Sequence, residues 1–598
     1  MTPVAHTAAH EDPPRNARPP RHRPDKRGPR NRGLADVPRR VAAELRRWRN
    51  RRRASPGWTV AVAAILTVIL LPVVTIATLA LSPAGDMWRH LVSTVLPGAL
   101  LNTAILLAGV GILTLVTGTG AAWLVTMYRF PGRALADRLL VLPLAMPTYI
   151  VAYCYAELLD YAGPVQTALR GWIGAKGPLD YWFPDVRSLP GAIVVFSAVL
   201  YPYVYLTARA SFVQQSVCAL EVARTLGRTP LGTLWSVALP LARPALAAGV
   251  ALALMESLND LGAVQYLGVE TLSASIYTTW LQRGSLAGAA QIATVMLVLV
   301  AILFAVERLA RGRATSQHTT GRYRSIPFQD IDGWRGNAVG VLCLVPFVLG
   351  FVVPAGVLVG PAFRHAGDAI AGGFWLAVAN SIGLAAVVSV VAVVLAIVLG
   401  YAARAAANGF IKPAVRLGGL GYAVPGTVLA VGLLVPLAAL DNRIDALARA
   451  TFGISTGLLM SGTIVALVLA MTIRFLAVAL GSVEAGLERI SPNLDAAARA
   501  LGETALSTLF RVHLPMMLPA LGAAALLVFV DAMKELPATL LLRPFNFETL
   551  ATHVYGFAAL EQFEHAALGA LTIVVAGLVP VLLLHKAVAG GRAGGGSH

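Results

Sequence analysis

Long apolar segments separated by short polar stretches follow one another along most of this chain. A helix needs roughly 20 predominantly apolar residues to cross the hydrocarbon core of a bilayer, and these segments are that long. Backbone polar groups inside lipid must be satisfied within the segment, and no segment alternates like a barrel strand. The pattern therefore predicts an all-α integral membrane protein with about twelve transmembrane helices, at residues 58–81, 99–127, 138–160, 190–213, 243–264, 287–309, 336–363, 374–402, 416–440, 456–480, 517–540 and 565–588.

The polar positions show that the chain contains the same unit twice. Residues 221–265 and 496–540 align without a gap at a shift of 275, and other positions align at a shift of 278. The paired positions include Gly227 with Gly502, Pro240 with Pro515, Glu256 with Asp531, Asp260 with Glu535, Asn102 with Asn380, and Pro147 with Pro425. We therefore predict two parallel six-helix repeats related by an axis along the membrane normal. Two equivalent halves that face each other leave one path between them, which indicates transport.

Composition and charge agree with a membrane location. Hydrophobic residues make up 57% of the chain, charged residues only 13%, and the mean hydropathy is +0.69. Soluble proteins carry about 25% charged residues. Much of the net charge of +18 lies in residues 1–55, a Pro- and Arg-rich stretch without an apolar face. We expect a disordered cytoplasmic arm that contacts anionic lipid, rather than a nucleic-acid-binding segment or a cleaved signal.

The order of spans and basic loops predicts the domain boundaries and the orientation. The two repeats are expected at residues 56–310 and 336–590, with a cytoplasmic linker at 311–335 between them. The tail at 591–598 resembles a cloning remnant. Basic residues such as Arg129, Arg228 and Arg404 occupy loops that all fall on one side of the membrane. Since basic loops favour the cytoplasmic side, both termini are predicted to be cytoplasmic.

Each repeat carries a polar hairpin immediately before its fifth span. Small residues there permit close approach of another protein, a glycine allows a turn between two short helices, and a Leu-Pro pair marks the entry to the span. The candidate coupling residues are Glu221, Ala223, Gly227, Leu239 and Pro240 in the first copy and Ala497, Ala498, Gly502, Leu514 and Pro515 in the second. No phosphate-binding loop occurs in the chain, so the energy source would be a separate protein. The hairpins are therefore either levers that couple to this partner or plain connectors.

The spacing of the first hairpin resembles a known signature. Glu221, Ala223 and Gly227, followed by Leu239-Pro240, are similar to the cytoplasmic loop of ABC importer permeases. The second copy departs from this pattern, because Ala496 occupies the acidic position and Asp495 lies one place earlier. Further stretches resemble the fused two-repeat permeases for ferric iron, namely Asn102-Thr103, YRFPGR at 128–133, LPLAMPTYIVAY at 142–153, ESLNDLGAVQYLGVETLSASIYTTW at 256–280 and KELPATLLLRPFNFETLA at 534–551.

This resemblance implies the transmembrane domains of a type I ABC importer in the bacterial cytoplasmic membrane. Two copies of an ATPase subunit would bind the hairpins, and ATP and magnesium would be held by that partner. The chain itself would then be neither an enzyme nor the carrier of a cofactor. An external substrate-binding protein would deliver the substrate, for instance at the long outer loop 161–189, whose aromatic residues could equally belong to the membrane interface.

Four acidic residues are candidates for the path. Glu256 and Asp260 lie in or near the fifth span, and Asp531 and Glu535 lie at the equivalent places in the eleventh. Ionisable groups in a membrane normally face a bundle interior or a wet cavity. A spacing of four places each pair on one helix face, so two acidic faces could line a path for a hard cation. Alternatively, the acids pair with basic groups or cap helix ends.

Prolines, tyrosines and cysteines in the spans are further candidates for shaping the path or for binding a metal. Pro147 and Pro425 are expected to break the third and ninth spans and so to shape the path. Tyr149, Tyr153 and Tyr155 could supply phenolate ligands, although tyrosine in a span more often packs. Cys154, Cys218 and Cys343 have no paired spacing, so no metal site is predicted.

The substrate stays open at this level. Ferric iron is the first interpretation, and thiamine, a polyamine or another small solute are alternatives within the same class. A secondary transporter driven by an ion gradient, with the four acids as its relay, is the alternative from a different class.

Overall fold

The computed structural model describes residues 56–82, 86–214, 227–311, 329–371, 373–405 and 409–589. In the first half, the α-helices are α1 Pro56–Ala80, α2 Asp86–His90, α3 Leu96–Met127, α4 Arg133–Leu139, α5 Thr148–Leu159, α6 Pro164–Ile173, α7 Leu189–Gln214, α8 Pro230–Thr233, α9 Leu239–Asn259, α10 Gly262–Tyr266, α11 Leu272–Tyr277 and α12 Leu286–Arg311. In the second half, they are α13 Gly333–Phe347, α14 Val353–Arg364, α15 Ala366–Ala371, α16 Phe374–Ala405, α17 Ile411–Gly418, α18 Gly426–Phe452, α19 Ile464–Glu488, α20 Pro492–Ala500, α21 Ala505–Thr508, α22 Leu514–Met533, α23 Pro537–Leu542, α24 Leu550–Ala559 and α25 Phe563–Ala589.

Short non-α segments complete the fold. Single π-helical turns occur at Leu91–Val95, Leu234–Ala238, Thr278–Gln282, Val348–Val352 and Leu509–His513, and 3₁₀ turns at Leu142–Ala145 and Gly419–Ala423. Two short strands, β1 Tyr128–Arg129 and β2 Gln329–Asp330, pair in parallel. This pairing connects the loop after α3 to the residues that lead into the second half.

The predicted membrane helices are confirmed, although several differ in their course; the ninth span, for example, is Gly426–Phe452 rather than 416–440, because Pro425 precedes it. Within the described residues, eleven helices are long and apolar enough to cross a membrane, and a bent pair of segments makes twelve. The third span, predicted as one helix at 138–160, is instead two segments that meet at 94°. The tenth span begins at Ile464 rather than at 456, because the carboxylate of Asp441 accepts hydrogen bonds from the backbone of residues 459–461 and holds that stretch as a loop.

Proline produces the breaks in both halves. Pro147 and Pro425 each stand immediately before a helix, with φ and ψ of −60° and 136° at Pro147 and −60° and 148° at Pro425. In each half a short helix and a 3₁₀ turn precede the proline. Since proline fixes φ and cannot donate a hydrogen bond, the chain changes direction there. The expectation that these prolines interrupt the helices is confirmed.

Equivalent hydrogen bonds occur in the two halves. The side-chain amide of Asn102 donates to the carbonyl of Glu270 at 3.0 Å, and that of Asn380 donates to the carbonyl of Glu548 at 2.9 Å. The hydroxyl of Thr103 accepts from Leu272 N at 3.0 Å, as the Ser381 hydroxyl accepts from Leu550 N at 2.7 Å. The repeat seen in the sequence is therefore a repeat of structure.

The two halves pack closely against each other, because the first span of each contacts the other. Helix α1 packs against α12 of its own half and against α18 of the second half. Helix α14 likewise packs against α25 of its own half and against α5 of the first. Leu144 of the broken third span and Tyr422 of the broken ninth span line a shared cavity between the halves. Three predicted features, the arm at 1–55, most of the linker and the tail at 591–598, lie outside the described residues.

Candidate translocation path and coupling hairpins

The four predicted acids converge at the centre, but not as two helix faces. Helix α9 ends at Asn259 and α22 ends at Met533, so Asp260 and Glu535 lie just beyond the helices. The backbone of Asp260 is extended, with φ −71° and ψ 124°. The prediction that each pair shares a helix face is therefore wrong. Each second acid instead lies in the link to a short helix, α10 or α23.

Glu535 is fully enclosed by hydrogen-bond donors. Its carboxylate accepts from Arg474 Nη1 at 2.9 Å, from Ala538 N at 3.0 Å, and from the backbone N and the hydroxyl of Thr539 at 3.2 and 3.1 Å. Glu535 and Arg474 are each only 5% exposed. A buried ion pair is retained only when such bonds offset the loss of hydration. The interpretation of structural pairing and capping is thus correct for Glu535.

Asp260 has the same capping role without the same charge partner. Its Oδ1 accepts from Ala263 N at 2.7 Å, which matches the bond from Ala538 N to Glu535 in the other half. Position 199, which corresponds to Arg474 at a shift of 275, is a valine. Among the described residues, no ion pair joins Asp260 to a basic side chain.

The other two acids also differ between the halves. Glu256 accepts a hydrogen bond from the hydroxyl of Tyr422, a residue of the opposite half. Asp531 forms an ion pair of 2.9 Å with Lys534. Asn259, which aligns with Lys534, instead accepts a bond of 2.7 Å from Gly426 N across the interface. The pseudo-symmetric positions thus carry unequal charges.

These side chains surround a narrow cavity of about 80 Å³ between the halves. Its lining includes the carboxylates of Glu256, Asp260, Asp531 and Glu535 together with the basic groups of Arg474 and Lys534. Arg474 pairs with Glu535 and Lys534 with Asp531, and among the described residues Glu256 and Asp260 form no ion pair. Because the effective dielectric constant is low in such a place, the excess negative charge attracts cations strongly.

A wider cavity of about 490 Å³ adjoins the narrow one and is lined mainly by apolar residues. It extends to Glu307 and Arg311 in the last turns of α12 and to Pro580 in α25. Helices α9 and α12 pack together and are joined by residues 260–285, so the end of α12 lies at the same end of the molecule as the start of α9. The path is therefore wide toward the hairpins and narrow at the acids.

On the side of the narrow cavity that faces away from the hairpins, the two halves contact each other. A Cβ atom added at Gly262 would lie 2.6 Å from Leu536 Cδ2 and 2.9 Å from Tyr149 Cβ. A side chain at this position would press on Tyr149 of its own half and on the Leu536 side chain of the other. The start of α10 thus contacts Leu536, the residue just before α23, beside the narrow cavity.

Arg474 and Tyr422 are site residues that the sequence reasoning missed. Arg474 lies in the middle of α19, and an ionisable residue inside an apolar span is normally functional or paired. That rule would have identified Arg474. No comparable signal exists for Tyr422, because its partner Glu256 lies far away in the sequence and only the fold brings the two together.

The turn predicted for each hairpin is confirmed. Gly227 and Gly502 have φ angles of 79° and 82°, a left-handed conformation that side chains disfavour. Thr229 and Thr504 follow and cap the next short helix by accepting from Gly232 N at 3.1 Å and Ser507 N at 3.2 Å. Glu221 and Ala223 lie outside the described residues.

The Leu-Pro pairs do not begin a separate helix, contrary to the prediction. Helical structure is continuous over Pro230–Asn259 and over Ala505–Met533. Leu239-Pro240 and Leu514-Pro515 stand where a π-helical turn changes into an α-helix. A π-turn shifts the hydrogen-bond register, so the proline can follow it without ending the helix. Each hairpin is thus joined rigidly to a path-lining helix.

The second hairpin is attached to helix α16 by charged groups. Asp495 in α20 pairs with Arg404 at 2.9 Å and with His513 Nε2 at 2.8 Å. Arg404 also donates to the carbonyls of Leu487 and Ile490 at 2.5 and 3.0 Å. Asp495, the acid that lies one place before the position of Glu221 in the repeat, therefore bonds within the chain.

Both hairpins expose apolar side chains in equivalent places. Trp235 and Phe510, which align at the shift of 275, are 70% and 61% exposed, and Leu231 and Leu506 one turn earlier are also exposed. In α20 the predicted contact residue Ala497 is exposed, whereas Ala498 is buried. Exposed apolar groups at repeated positions are typical of surfaces that contact a partner or lipid.

Comparison with known proteins agrees with this architecture. Residues 114–314 match the family described as binding-protein-dependent transport system inner membrane component. The Fe(3+)-transport system permease protein FbpB 2 of Haemophilus influenzae is 26% identical over 496 residues, which is 81% of this chain and 89% of that protein. The sulfate transport system permease protein CysT of Escherichia coli is 30% identical over 270 residues, 43% of this chain and 94% of that protein. The molybdenum transport system permease protein ModB of Escherichia coli is 28% identical over 203 residues, 32% of this chain and 85% of that protein.

These relatives are either about half as long as this chain or, like the ferric iron permease, span most of it, as expected for a duplicated permease unit. The repeated membrane helices, the paired hairpins and the path between the halves are what such permeases require. The chain therefore belongs to the family of binding-protein-dependent transport system inner membrane components, the permeases of ABC importers.

Proposed function

We propose that this permease moves ferric iron, delivered by an external binding protein, across the bacterial cytoplasmic membrane. The main support is the excess of acidic groups in the narrow cavity between the halves, where four carboxylates face two basic groups. Carboxylate oxygens are hard donors that suit hard cations. The similarity to the ferric iron permease of Haemophilus influenzae extends over most of both chains and supports the same substrate.

The alternative is an anion, because relatives carry names for sulfate, molybdenum and 2-aminoethylphosphonate transport. Arg474 and Lys534 would serve an anion only if they were free. Each is instead engaged by a carboxylate at 2.9 Å. Glu256 and Asp260 form no ion pair among the described residues, and four carboxylates outnumber two basic groups in the lining, so an anion entering this cavity meets repulsion while a cation is attracted. The charge balance therefore favours a cation.

The hairpins are proposed as the sites where two copies of a separate ATPase bind, with both termini of the chain on the same cytoplasmic side. Each hairpin continues into one rigid helix that ends at the acids, Asn259 being the last residue of the first and Met533 of the second. A helix of about 30 residues spans roughly 45 Å. Movement of an ATPase at the hairpin would thus be carried directly to Asp260 and Glu535, so that hydrolysis opens and closes the path.

The opposite face of the molecule is proposed to receive the binding protein. Trp172 at the end of α6 and Trp182 in the following loop are 87% and 85% exposed. They lie in the long loop that faces away from the hairpins. Large exposed aromatic side chains on a rigid loop are common anchors in protein interfaces.

Uptake into proteoliposomes tests this function. The chain is purified from its native membranes in mild detergent together with its ATPase and binding protein, and the complex is reconstituted with ATP inside. We expect ATP-dependent uptake of radioactive iron supplied as the ferric binding protein, without competition from sulfate or molybdate. Uptake of an oxyanion in place of iron would refute the proposed substrate, and uptake driven by a proton gradient without ATP would refute the coupling role of the hairpins.

A further inference from the structure

A column of tyrosine rings leads away from the acids toward the closed end of the path. The rings of Tyr149 and Tyr153 have centroids 5.7 Å apart, and Tyr153 meets Tyr266 edge-on at 4.4 Å. The guanidinium of Arg187 lies 5.0 Å from the centre of the Tyr266 ring. Tyr149 also lines the narrow cavity of the four acids. The column thus runs from the lining of that cavity to the half-buried Tyr266 and Arg187.

Two of these phenols are buried without a hydrogen-bond partner. Tyr149 is 4% exposed and Tyr153 is 1% exposed, and the hydroxyl of neither is bonded within the described residues. A buried hydroxyl without a partner costs about 1–3 kcal/mol. Phenylalanine would fill the same space without that cost, so packing alone does not account for tyrosine at either position.

The surroundings of the column supply further oxygen atoms. Asp260 and Glu535 line the same narrow cavity as Tyr149. The Tyr555 hydroxyl, from the second half, donates to Gln265 of the first at 2.8 Å. Both halves therefore contribute oxygen-bearing groups around the two free phenols.

We propose that the phenol oxygens of Tyr149 and Tyr153 are ligands for ferric iron as it passes from the outer end to the acids. This inference rests on the proposed function. Phenolate and carboxylate oxygens are both hard donors, and tyrosinate is an established ligand of ferric haem iron. On binding, each phenol forms an iron–oxygen bond and loses its O–H bond, and the two protons pass to two carboxylates of the cavity, Asp260 and Glu256. The iron stays ferric, and no electron is transferred.

The size and the donor set of the site suit brief binding during passage. A cavity of about 80 Å³ holds one ion with about two waters, since each water occupies about 30 Å³ in the liquid. Among the described residues, no three His, Cys, Asp or Glu side chains are placed to hold a metal ion. The phenols add donors that raise affinity without creating a closed, permanent metal site. Release toward the apolar 490 Å³ cavity then remains fast.

Tyr155 provides a matched control within the same helix. Its hydroxyl donates to the carbonyl of Leu349 at 2.7 Å and is therefore already satisfied, away from the column. Replacement of Tyr149 or Tyr153 by phenylalanine removes an unbonded hydroxyl, so these variants should fold at least as well as the native protein. Replacement of Tyr155 removes a bonded one.

The test is the visible absorption of the full-length chain in lipid nanodiscs, titrated with ferric nitrilotriacetate. We expect a phenolate-to-iron charge-transfer band in the native chain and in Tyr155→Phe. In Tyr149→Phe with Tyr153→Phe, the apparent affinity should fall about tenfold or more, which corresponds to roughly 1.4 kcal/mol or more of binding. Thermal unfolding of each variant checks that the fold is intact.

Two results would overturn the inference, and neither depends on uptake. One is the absence of the band from the native chain at millimolar iron, and the other is an equal band in the native and doubly substituted chains. Such results would leave the proposed substrate to be judged by the uptake experiment. If uptake of iron fails while the band is present and lost in the double variant, the phenols bind iron but the proposed function is wrong.

Discussion

Asp260 and Glu535 occupy equivalent positions of the repeat and cap equivalent helices, yet only Glu535 has a buried arginine as its partner. Removing one member of a buried ion pair leaves an uncompensated charge and costs about 3–5 kcal/mol. We therefore expect Arg474→Met to lower the free energy of unfolding by about that amount. Differential scanning fluorimetry of the detergent-purified chain measures the corresponding fall in melting temperature.

The double variant Arg474→Met with Glu535→Gln tests whether stability depends on the ion pair itself or on the cost of leaving one buried charge unpaired. The glutamine side chain would keep an oxygen that accepts from Ala538 N, whereas the buried charges are both gone. We expect most of the lost stability to return. A double variant as unstable as Arg474→Met alone would show that the pair is not what stabilises this part of the bundle.

Asp260→Asn tests charge without removing the cap. Asparagine caps helices about as well as aspartate, so its side-chain oxygen should still accept from Ala263 N. We expect a melting temperature close to that of the native chain and at least a tenfold fall in iron uptake, as about 1.4 kcal/mol or more of attraction for a cation is lost. Native uptake by this variant in the proteoliposome assay would show that Asp260 is only a cap.

At the residue scale, the sequence identified the four acids of the site but not their positions relative to the helix ends or their partners. The repeat singled out the four acids, because ionisable residues in register inside apolar segments are rare unless they have a function or a partner. It did not reveal that Asp260 and Glu535 lie beyond the helix ends, since four-residue spacing is compatible with a continuous helix. The partners Tyr422 and Arg474 come from elements far apart in the chain, and only the packing of the two halves makes them neighbours.

At the scale of elements, each hairpin depends on one glycine in a left-handed conformation. Proline fixes φ near −65° and cannot adopt the 79° of Gly227 or the 82° of Gly502. We expect Gly227→Pro with Gly502→Pro to abolish ATP-dependent uptake while the protein still inserts into the membrane. Uptake and ATP hydrolysis are measured together in the reconstituted complex.

Asparagine at the same two positions is the matched control, because it tolerates the left-handed conformation better than other side chains. The variant Gly227→Asn with Gly502→Asn should retain most of the uptake. Loss of uptake in both double variants would mean that glycine is needed for close approach of a partner and not for its backbone conformation. Normal uptake in the proline variant would remove the coupling role altogether.

The bounds and breaks of the helices were predictable where the local sequence pattern determines them, and not where a tertiary contact does. Hydrophobic length found the spans, and proline found the breaks at Pro147 and Pro425. The late start of α19 at Ile464 follows from the bonds of Asp441 to a loop about twenty residues away, which no local pattern encodes. The continuous helix through Leu239-Pro240 was missed because a π-turn has no sequence signature as clear as that of proline.

At the scale of the whole molecule, the structure is open toward the hairpins and closed at the other end. Arg187 of the first half helps hold that closed end, because its guanidinium pairs with Asp160 at 2.8 Å and with Glu561 of the second half at 3.5 Å. Glu561 follows the end of α24 with a positive φ of 57°, the left-handed conformation in which helices commonly end. The backbone N of Glu561 donates to the carbonyl of Ala558, so the end of this helix positions the carboxylate that meets Arg187.

Loss of this contact between the halves should shift the molecule toward the state that is open at the outer end. The pair is partly exposed and therefore worth at most about 1 kcal/mol, so Arg187→Ala should raise the outward-open population by up to about fivefold. We expect a similar rise in ATP hydrolysis by the reconstituted complex without binding protein. Arg170→Ala is the control, because among the described residues Arg170 bonds within its own half, to the carbonyl of Tyr161 and to the hydroxyls of Tyr181 and Thr167. Equal basal hydrolysis in both variants would show that Arg187 fixes the outer loop alone, and that closure depends on the contact of Gly262 with Leu536.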